Sequence, residues 1–258
     1  MQRINFTVII PAYKNTELLY YALNSVRVQK FQPKEVIIID TAKKLENKKL
    51  IKNFNKKFLR NYRYFKYSNK FKGGGARNFA SLKSKTNYLA FLDEDDFWDK
   101  NYLFYIEKLL KRKNYDLLYT QFRLVDKNGK FLKNFKIHSN LNINDVYVYN
   151  PGALTSNMIV KKKTFFDLGK FDKKLLGSND RDFLVKTMLS KYNLKIVKEY
   201  LVNRRIHNKQ WSNDYFGYLR DNIAFYNKYK KNLTLIVKLR FLKKIIVIFF
   251  KFFLRYFL

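Results

Sequence analysis

The sequence contains no cysteine, and its acidic residues are few. Without cysteine the chain has no disulfide, thiolate metal site or cysteine nucleophile, so any metal must be bound by oxygen or imidazole. There are 20 Asp and Glu against 54 Lys and Arg, which gives a formal charge of +34. Because 47% of the 258 residues are hydrophobic and 18% are aromatic, charge-driven disorder is excluded and a folded core is expected.

The excess of positive charge predicts an anionic partner without identifying it. Three explanations remain open: nucleic-acid binding, attachment to an anionic membrane surface, and a general drift toward lysine in a lysine- and asparagine-rich proteome. Residues 1–13 lack the charged leader, long apolar core and small-residue cleavage site of a signal peptide, so we expect none.

The first half of the chain alternates between apolar strands and amphipathic helices. Apolar runs at 5–10, 35–40, 62–67 and 88–92 are each followed by a helical pattern. This order predicts an α/β fold with a Rossmann-like, mostly parallel central sheet and helices on both faces. Beyond residue 122 the β/α alternation ends, and Asp126-Lys-Asn-Gly129 predicts a hairpin in a mixed second half. Residues 138–156 are expected to be irregular, and 194–200 are expected to form a returning strand.

Acidic residues follow two of the predicted strands directly. Asp40 ends the second strand, and the cluster Asp93-Glu94-Asp95-Asp96 follows the strand at 88–92. The carboxyl ends of parallel strands share one edge of a sheet, where open α/β sheets bind ligands. Crowded carboxylates favour a divalent cation, and oxygen ligands suit Mg²⁺ or Mn²⁺. The alternative is a solvated acidic turn that caps the next helix.

A glycine-rich run precedes the third predicted helix. Gly73-Gly-Gly-Ala-Arg-Asn78 places unhindered backbone at a helix N-terminus and adds the Arg77 guanidinium, a combination that suits phosphate oxygens. The run lacks the Gly-Lys-Ser/Thr of a Walker motif, and by itself it is more typical of a tight turn.

Four motifs in order resemble the family 2 glycosyltransferases of the GT-A fold. They are Val8-Ile-Ile-Pro-Ala-Tyr13, Glu35-Val-Ile-Ile-Ile-Asp40, Gly75-Ala-Arg-Asn78 and Phe91-Leu-Asp-Glu-Asp-Asp-Phe-Trp98. The resemblance continues through Leu168-Gly-Lys-Phe-Asp172 and the Asn179-Asp180 pair to about residue 210. It implies transfer of a sugar from a nucleoside-diphosphate donor to an acceptor hydroxyl, with inversion at the anomeric carbon.

The resemblance also implies roles for single residues on the donor side. Pro11, Ala12 and Tyr13 would line the nucleobase, and Asp40 would help to hold the nucleoside. Asp93 would contact the ribose side.

At the reacting end, the resemblance implies that Asp95 ligates the Mn²⁺ or Mg²⁺ that bridges the diphosphate. Asp180 would be the general base, and His207 in Arg204-Arg-Ile-His207 would reach the diphosphate or the metal. Arg77 is the candidate phosphate contact. The alternatives are a helix N-terminal acid for Asp180, a satisfied surface histidine for His207, and a surface salt bridge for Arg77.

Three positions depart from the family pattern. Lys14 stands where asparagine is common, Thr41-Ala42 replaces Asp-Gly-Ser, and Asn179 stands where glutamate often precedes the base. The second departure leaves the nucleobase of the donor open. The sequence also lacks Gln-x-x-Arg-Trp and a multi-spanning apolar region, so we expect one sugar per acceptor.

On the basis of this resemblance, we expect a catalytic domain at 1–210 and a helical extension at 211–258. The catalytic domain would comprise a nucleotide-binding half (1–122) and an acceptor-side half (123–210). Rival interpretations are a nucleic-acid-binding protein, a nucleotidyltransferase that would not need Asp180, and a non-catalytic GT-A relative. The transferase interpretation predicts no nucleic-acid partner and leaves the oligomeric state open.

The tail at 233–258 has no acidic residue and is predicted to form a basic amphipathic helix. Its longest apolar run, 245–250, is far shorter than the ~20 residues that span a bilayer. On a helical wheel, one group of residues forms a basic stripe and another an opposite apolar face: Arg240, Lys243, Lys244, Lys251 and Arg255 against Leu242, Ile245, Phe249, Phe252 and Phe253.

This pattern predicts a peripheral anchor on the inner, cytoplasmic face of the membrane. It suits a glycan or lipid-linked acceptor of the kind used in lipopolysaccharide or capsule assembly. The alternative is a helix that packs its apolar face on its own domain or on a second subunit.

Overall fold

A computed structural model describes residues 4–13, 16–42, 46–58, 61–67, 73–208, 210 and 214–257. Within these residues the strands form one mixed sheet in the order β3-β2-β1-β4-β8-β6-β9-β5, with β7 paired to β6. The strands are β1 (Phe6–Ala12), β2 (Glu35–Asp40), β3 (Tyr62–Lys66), β4 (Tyr88–Phe91), β5 (Phe97–Trp98), β6 (Leu117–Val125), β7 (Phe131–Phe135), β8 (Met158–Lys161) and β9 (Leu194–Arg205).

Helices cover both faces of this sheet, as the sequence predicts. Alternate residues of β1 enter two cores, since Val8 and Ile10 pack with α1, α2 and α4, whereas Ile9 packs with residues of α3 and α5 to α9. The helices are α1 (Thr16–Arg27), α2 (Glu46–Phe58), α3 (Gly74–Lys83), α4 (Tyr102–Arg112), α5 (Ile143–Val148), α6 (Lys162–Asp167), α7 (Asn179–Met188), α8 (Tyr215–Tyr229) and α9 (Leu235–Phe257), with 3-10 turns at Thr155–Asn157 and Lys230–Asn232.

The first half of the sheet is parallel because its strands are apolar on both sides. β1 pairs in parallel with β2 and β4, and β2 with β3. All six residues of β2 are buried, including Asp40 at its carboxyl end. The predicted β/α alternation is therefore confirmed, and it places the ends of β1, β2 and β4 along one edge.

The second half is mixed, and its last strand is longer than the sequence predicts. β8 is antiparallel to β4 and β6, while β9 runs parallel to β6. The predicted hairpin forms at Asp126, whose carboxylate accepts the amide N–H groups of Asn128 and Lys130. We expected the returning strand to end at Tyr200, but register shifts opposite Thr120 and Gln121 let β9 continue to Arg205.

The C-terminal helix packs on the protein through a stripe that includes a lysine. Val237, Phe241, Lys244 and Ile248 are each at most 8% exposed, and Val237 and Phe241 join the core on one face of the sheet. The wheel placed Lys244 on an outward basic stripe, which is wrong, because its amine lies inside against α5 and α8. The side chains of Lys251, Phe252 and Arg255 lie outside the described part of the structure.

The opposite face of α9 is apolar and exposed. Nine large apolar side chains lie on it, each at least 45% exposed: Leu235, Ile236, Leu239, Leu242, Ile246, Val247, Phe249, Phe250 and Phe253. Among the described residues, no helix has both the length and the apolar character needed to cross a bilayer.

Candidate active site

Hydrogen bonds join the ends of β1, β2 and β4 at one edge of the sheet. We call this edge, together with the acidic loop at 93–96, the cleft. The amide of Thr41 donates to the Ala12 carbonyl at 2.8 Å, and the amide of Tyr13 donates to Glu94 Oε2 at 2.7 Å. The residues predicted for the nucleobase, Pro11, Ala12 and Tyr13, therefore lie beside the acidic loop at 93–96.

Asp40 is fully buried at the end of β2, and both of its oxygens are engaged. Oδ1 accepts the amide of Ala42 at 2.9 Å and the Asn47 side chain at 3.2 Å. Oδ2 accepts the Tyr64 hydroxyl at 2.7 Å and the Lys66 amine at 3.2 Å. Asp40 thus organises the wall of the cleft, and its predicted contact with a nucleoside stays a prediction. Sequence reasoning missed its partners, because they come from three separate elements.

The acidic loop concentrates negative charge. Carboxylate oxygens of Asp93, Asp95 and Asp96 lie within 4.8 Å of one another. Burial raises the pKa of Asp96 well above its ordinary value, and the charges of Asp95 and Asp93 raise it further. The Arg205 amide donates to Asp96 at 3.0 Å and thereby ties the loop to the end of β9. Such a cluster favours a cation.

Arg77 forms an ion pair with Asp93 and is nearly buried. Thr155 Oγ1 donates to both oxygens of the same carboxylate, at 3.1 and 2.9 Å. Arg77 therefore forms a salt bridge, although with a partly buried carboxylate rather than on the surface. The Arg77 Nε has no hydrogen-bond partner among the described residues, and its contact with phosphate stays a prediction. Sequence reasoning missed Thr155, which lies in a 3-10 turn within a stretch that we expected to be irregular.

Close packing brings the N-termini of α3 and α7 together. A Cβ on Gly74 would lie 3.1 Å from Asn179 Nδ2 and 3.3 Å from the Phe171 Cβ. Asn78 reinforces the contact by exchanging two hydrogen bonds with the backbone of Phe171, at 2.8 and 3.1 Å. The glycine that sequence analysis linked to phosphate therefore also sets the distance between the two helices.

Asp180 is the second residue of α7 and is half-buried. Burial raises the pKa of Asp180 to about 7, and the charge of Asp93 contributes to the rise. A hydrogen bond from the Arg181 amide at 2.6 Å and the charges of Arg181 and Arg77 act in the opposite direction. The charges of Asp93 and Arg77 act on the Asp180 carboxyl, so the three side chains lie near one another.

His207 follows β9 and faces the acidic loop. Its Nε2 lies 3.0 Å from Asp95 Oδ2. Because β9 extends as far as Arg205, it brings the histidine two residues later to the acidic loop. The structure thus brings Asp95 and His207 together, and Asp180 lies close enough to Asp93 and Arg77 for their charges to act on it.

The parallel half-sheet with an acidic loop after β4 is the arrangement expected of a glycosyltransferase of the GT-A fold. The chain belongs to this class by sequence as well: it is a member of Glycosyl transferase family 2, whose family model matches residues 7–171.

Glycosyltransferases of other organisms are similar in sequence to this chain. An uncharacterised glycosyltransferase of Methanocaldococcus jannaschii is 29% identical over 180 residues, which cover 67% of this chain and 60% of that protein. The amylovoran biosynthesis glycosyltransferase AmsB of Erwinia amylovora is 25% identical over 217 residues, 79% of this chain and 70% of AmsB. This chain therefore spans less than two thirds of the Methanocaldococcus protein.

A solved structure shares the fold. Residues 1–349 of TarS from Staphylococcus aureus, crystallised in complex with UDP-GlcNAc, superpose with a TM-score of 0.67 at 17% identity. The superposition covers 93% of this chain and 79% of the TarS chain.

Proposed function

We propose that this chain is a metal-dependent, inverting glycosyltransferase that moves one sugar from a nucleoside-diphosphate sugar to an acceptor hydroxyl. The observation that carries the proposal is the approach of His207 Nε2 to Asp95 Oδ2 at 3.0 Å, at an acidic loop whose Asp93 charge acts on Asp180. The UDP-GlcNAc complex of the TarS structure supports a nucleotide-sugar donor.

Asp180 supplies the base that this reaction needs. A sugar hydroxyl is a weak nucleophile at neutral pH, and a carboxylate with a pKa of about 7 accepts its proton while remaining largely ionised above that pH. General-base assistance of this kind contributes about 10²- to 10⁴-fold in rate. Inversion proceeds by one displacement, so no covalent enzyme intermediate is required.

Asp95 and His207 are the side chains that would hold Mn²⁺ or Mg²⁺. Oxygen and imidazole donors suit Mn²⁺, and the excess negative charge that raises the pKa of Asp96 fits a cation at this place. A bound divalent ion would neutralise the charge that develops on the leaving diphosphate. Arg77, at the N-terminal end of α3, adds a fixed positive charge on the same side of the cleft.

The donor-binding wall would consist of residues 11–13 and the organised end of β2. Thr41 Oγ1 donates to the Ala12 carbonyl at 3.1 Å, so its side chain is directed at the backbone of β1. A nucleobase is therefore read by groups other than a carboxylate at position 41, and a panel of donors with different bases is needed.

The test combines such a panel with two substitutions. Thermal stabilisation and Mn²⁺-dependent turnover are measured with uridine, guanosine, cytidine and thymidine diphosphate sugars. We expect Asp95→Ala to abolish metal-dependent donor binding and Asp180→Asn to keep binding but lose transfer. Asp126→Asn, in the exposed hairpin, is the matched control and should behave as wild type. Equal loss of binding in Asp95→Ala and Asp180→Asn would show that the base is misassigned.

For the partner surface, we propose that the exposed apolar face of α9 lies on an anionic membrane, on the cytoplasmic side, where a lipid-linked acceptor would be presented. The face is too large for an ordinary solvent-exposed helix, and the chain carries a net charge of +34. Anionic lipid attracts each nearby Lys or Arg by about 1 kcal/mol.

Flotation with vesicles tests this surface. The variant Leu242→Gln/Phe249→Gln/Phe253→Gln should lose binding to phosphatidylglycerol vesicles, because it removes apolar contact without touching the packed stripe. Phe131→Gln/Leu132→Gln on β7 alters equally exposed apolar residues and should still float. Self-association of the wild type that the α9 variant abolishes, with no vesicle binding, would identify a second subunit as the occupant.

A further inference from the structure

Two basic side chains share the same acceptors inside the protein, where α5, α7, α8 and α9 meet. Lys244 donates to the Val148 carbonyl at 2.7 Å and to Asn222 Oδ1 at 2.6 Å. Arg181 donates to the same two oxygens, at 3.0 and 3.2 Å. Lys244 is 8% exposed, Arg181 is 3% exposed and Asn222 is completely buried. We call these three side chains and the Val148 carbonyl the shared-acceptor cluster.

Burying two basic side chains this close together costs desolvation free energy that a simple helix contact does not require. Burial lowers the pKa of Lys244 to about 6, and the charge of Arg181 lowers it further while Asp221 acts against the shift. Burial also lowers the pKa of Arg181 to about 10, against the nearby Tyr218, Asp180, Asp221 and Asp182. An apolar residue at position 244 would pack α9 without this desolvation, so helix packing alone does not explain a lysine at this position.

Arg181 connects the shared-acceptor cluster to the active site. It follows Asp180 directly, and its amide donates to Asp180 Oδ1 at 2.6 Å. Its guanidinium lies 3.7 Å above the Phe225 ring and donates to Ser178 Oγ at 3.3 Å. The side chain of Arg181 therefore fixes the first turn of α7, and the acceptors of that side chain are held by Lys244.

We propose that Lys244 is a positioning residue for Asp180. By holding the Val148 carbonyl and the Asn222 side chain in place for Arg181, it sets the orientation of the first turn of α7 and of the carboxylate that it carries. The inference rests on the proposed role of Asp180 as the base. It also means that transfer requires α9 to be seated on the protein.

Lys244→Met tests the role by removing the amine while keeping a similar volume. We expect kcat to fall roughly tenfold with the donor KM unchanged within about twofold, because the base is misplaced and the donor site is not. The loosened guanidinium should also stabilise ionised Asp180 less, so the pKa of that carboxyl should rise. Its ¹³Cγ titration, assigned with Asp180→Asn, reports this shift without any turnover.

Two further variants complete the test. Lys238→Met removes a lysine of the same helix outside the cluster and should leave kcat, KM and the Asp180 titration unchanged. Lys244→Gln keeps a shorter donor and should recover part of kcat and part of the titration shift. Thermal midpoints are measured for all three, so that loss of folding is seen directly.

Several results would overturn the proposal. One is an unchanged Asp180 titration in Lys244→Met, and another is a kcat loss accompanied by an equal change in donor KM. If neither Lys244 variant folds while Lys238→Met does, the lysine serves stability alone. A wild-type protein that transfers no sugar would refute the proposed function instead, and the titration would still decide the role of Lys244.

Discussion

At the scale of single residues, Asp180 is subject to opposing effects. Burial and the neighbouring charge of Asp93 favour its protonated form, whereas Arg181 and Arg77 favour its ionised form. The balance leaves a carboxyl that titrates near neutrality, and a base must be ionised to accept a proton.

The rate of transfer should therefore rise with pH through an apparent pKa of about 7. The profile of kcat/KM between pH 5 and 9 checks this. Arg77→Met removes a charge that lowers this pKa, so its acid limb should move to higher pH. A flat profile over this range, or a shift to lower pH in Arg77→Met, would contradict the assignment.

The same shift has a consequence for stability. The folded state holds the Asp180 proton more tightly than the unfolded chain, whose carboxyl has an ordinary pKa near 3.8. The contribution of the protonated Asp180 carboxyl to the stability of the folded state is thus fully present at low pH and is lost as the pH rises toward 7. Asp180→Asn should raise the thermal midpoint by a few degrees at pH 8 and by less at pH 5.

Asp167 gives the matched control, since the partners Lys163 and Tyr192 lower its pKa. Asp167→Asn should not stabilise the protein at pH 8, because the ionised form of this exposed carboxyl is the favoured one. A midpoint for Asp180→Asn that falls at pH 8 would show that ionised Asp180 is stabilised rather than penalised.

At the scale of elements, the contact between α3 and α7 depends on Gly74. Gly74→Ala should destabilise the fold by about 1–3 kcal/mol, since its Cβ would lie 3.3 Å from the Phe171 Cβ and the segment before α7 would have to shift. Denaturant unfolding measures the change, and donor KM should rise with it. Leu82→Ala, at an exposed position of the same helix, should be nearly neutral; equal stability of the two variants would show that the contact is loose.

The elements also show what a sequence can predict. β1 to β4 and α1, α3 and α4 were predictable because their patterns are local, with buried parallel strands reading as continuous apolar runs. The length of β9 was not, because irregular pairing with β6 sets it. The inward stripe of α9 was missed because a helical wheel separates polar from apolar faces without saying which one the rest of the protein covers.

The candidate site, too, could be predicted only in part from the sequence. Asp40 and the acidic loop could be located from strand ends, whereas Asp180 and the approach of His207 to Asp95 followed only from the family resemblance. The partners of Asp40, the Thr155 hydroxyl and the shared-acceptor cluster join segments distant in sequence, so no local pattern announced them.

At the scale of the whole molecule, the proposed membrane attachment depends on both the net charge and the exposed face of α9. Binding to phosphatidylglycerol vesicles should weaken markedly between 0.1 and 1 M NaCl, because the screening length falls from about 10 to about 3 Å. The Leu242→Gln/Phe249→Gln/Phe253→Gln variant should bind weakly at both salt concentrations. Vesicle affinity of the wild type that does not depend on salt would assign attachment to apolar contact alone.

The two faces of α9 also have a consequence for the preparation of soluble protein. Cutting the chain before Leu235 would uncover the hollow that Val237 and Phe241 fill, so a shortened version should precipitate rather than dissolve more readily. Polar replacements confined to the outer side, with every inward residue kept, are the better route to a sample suited to crystallisation without detergent.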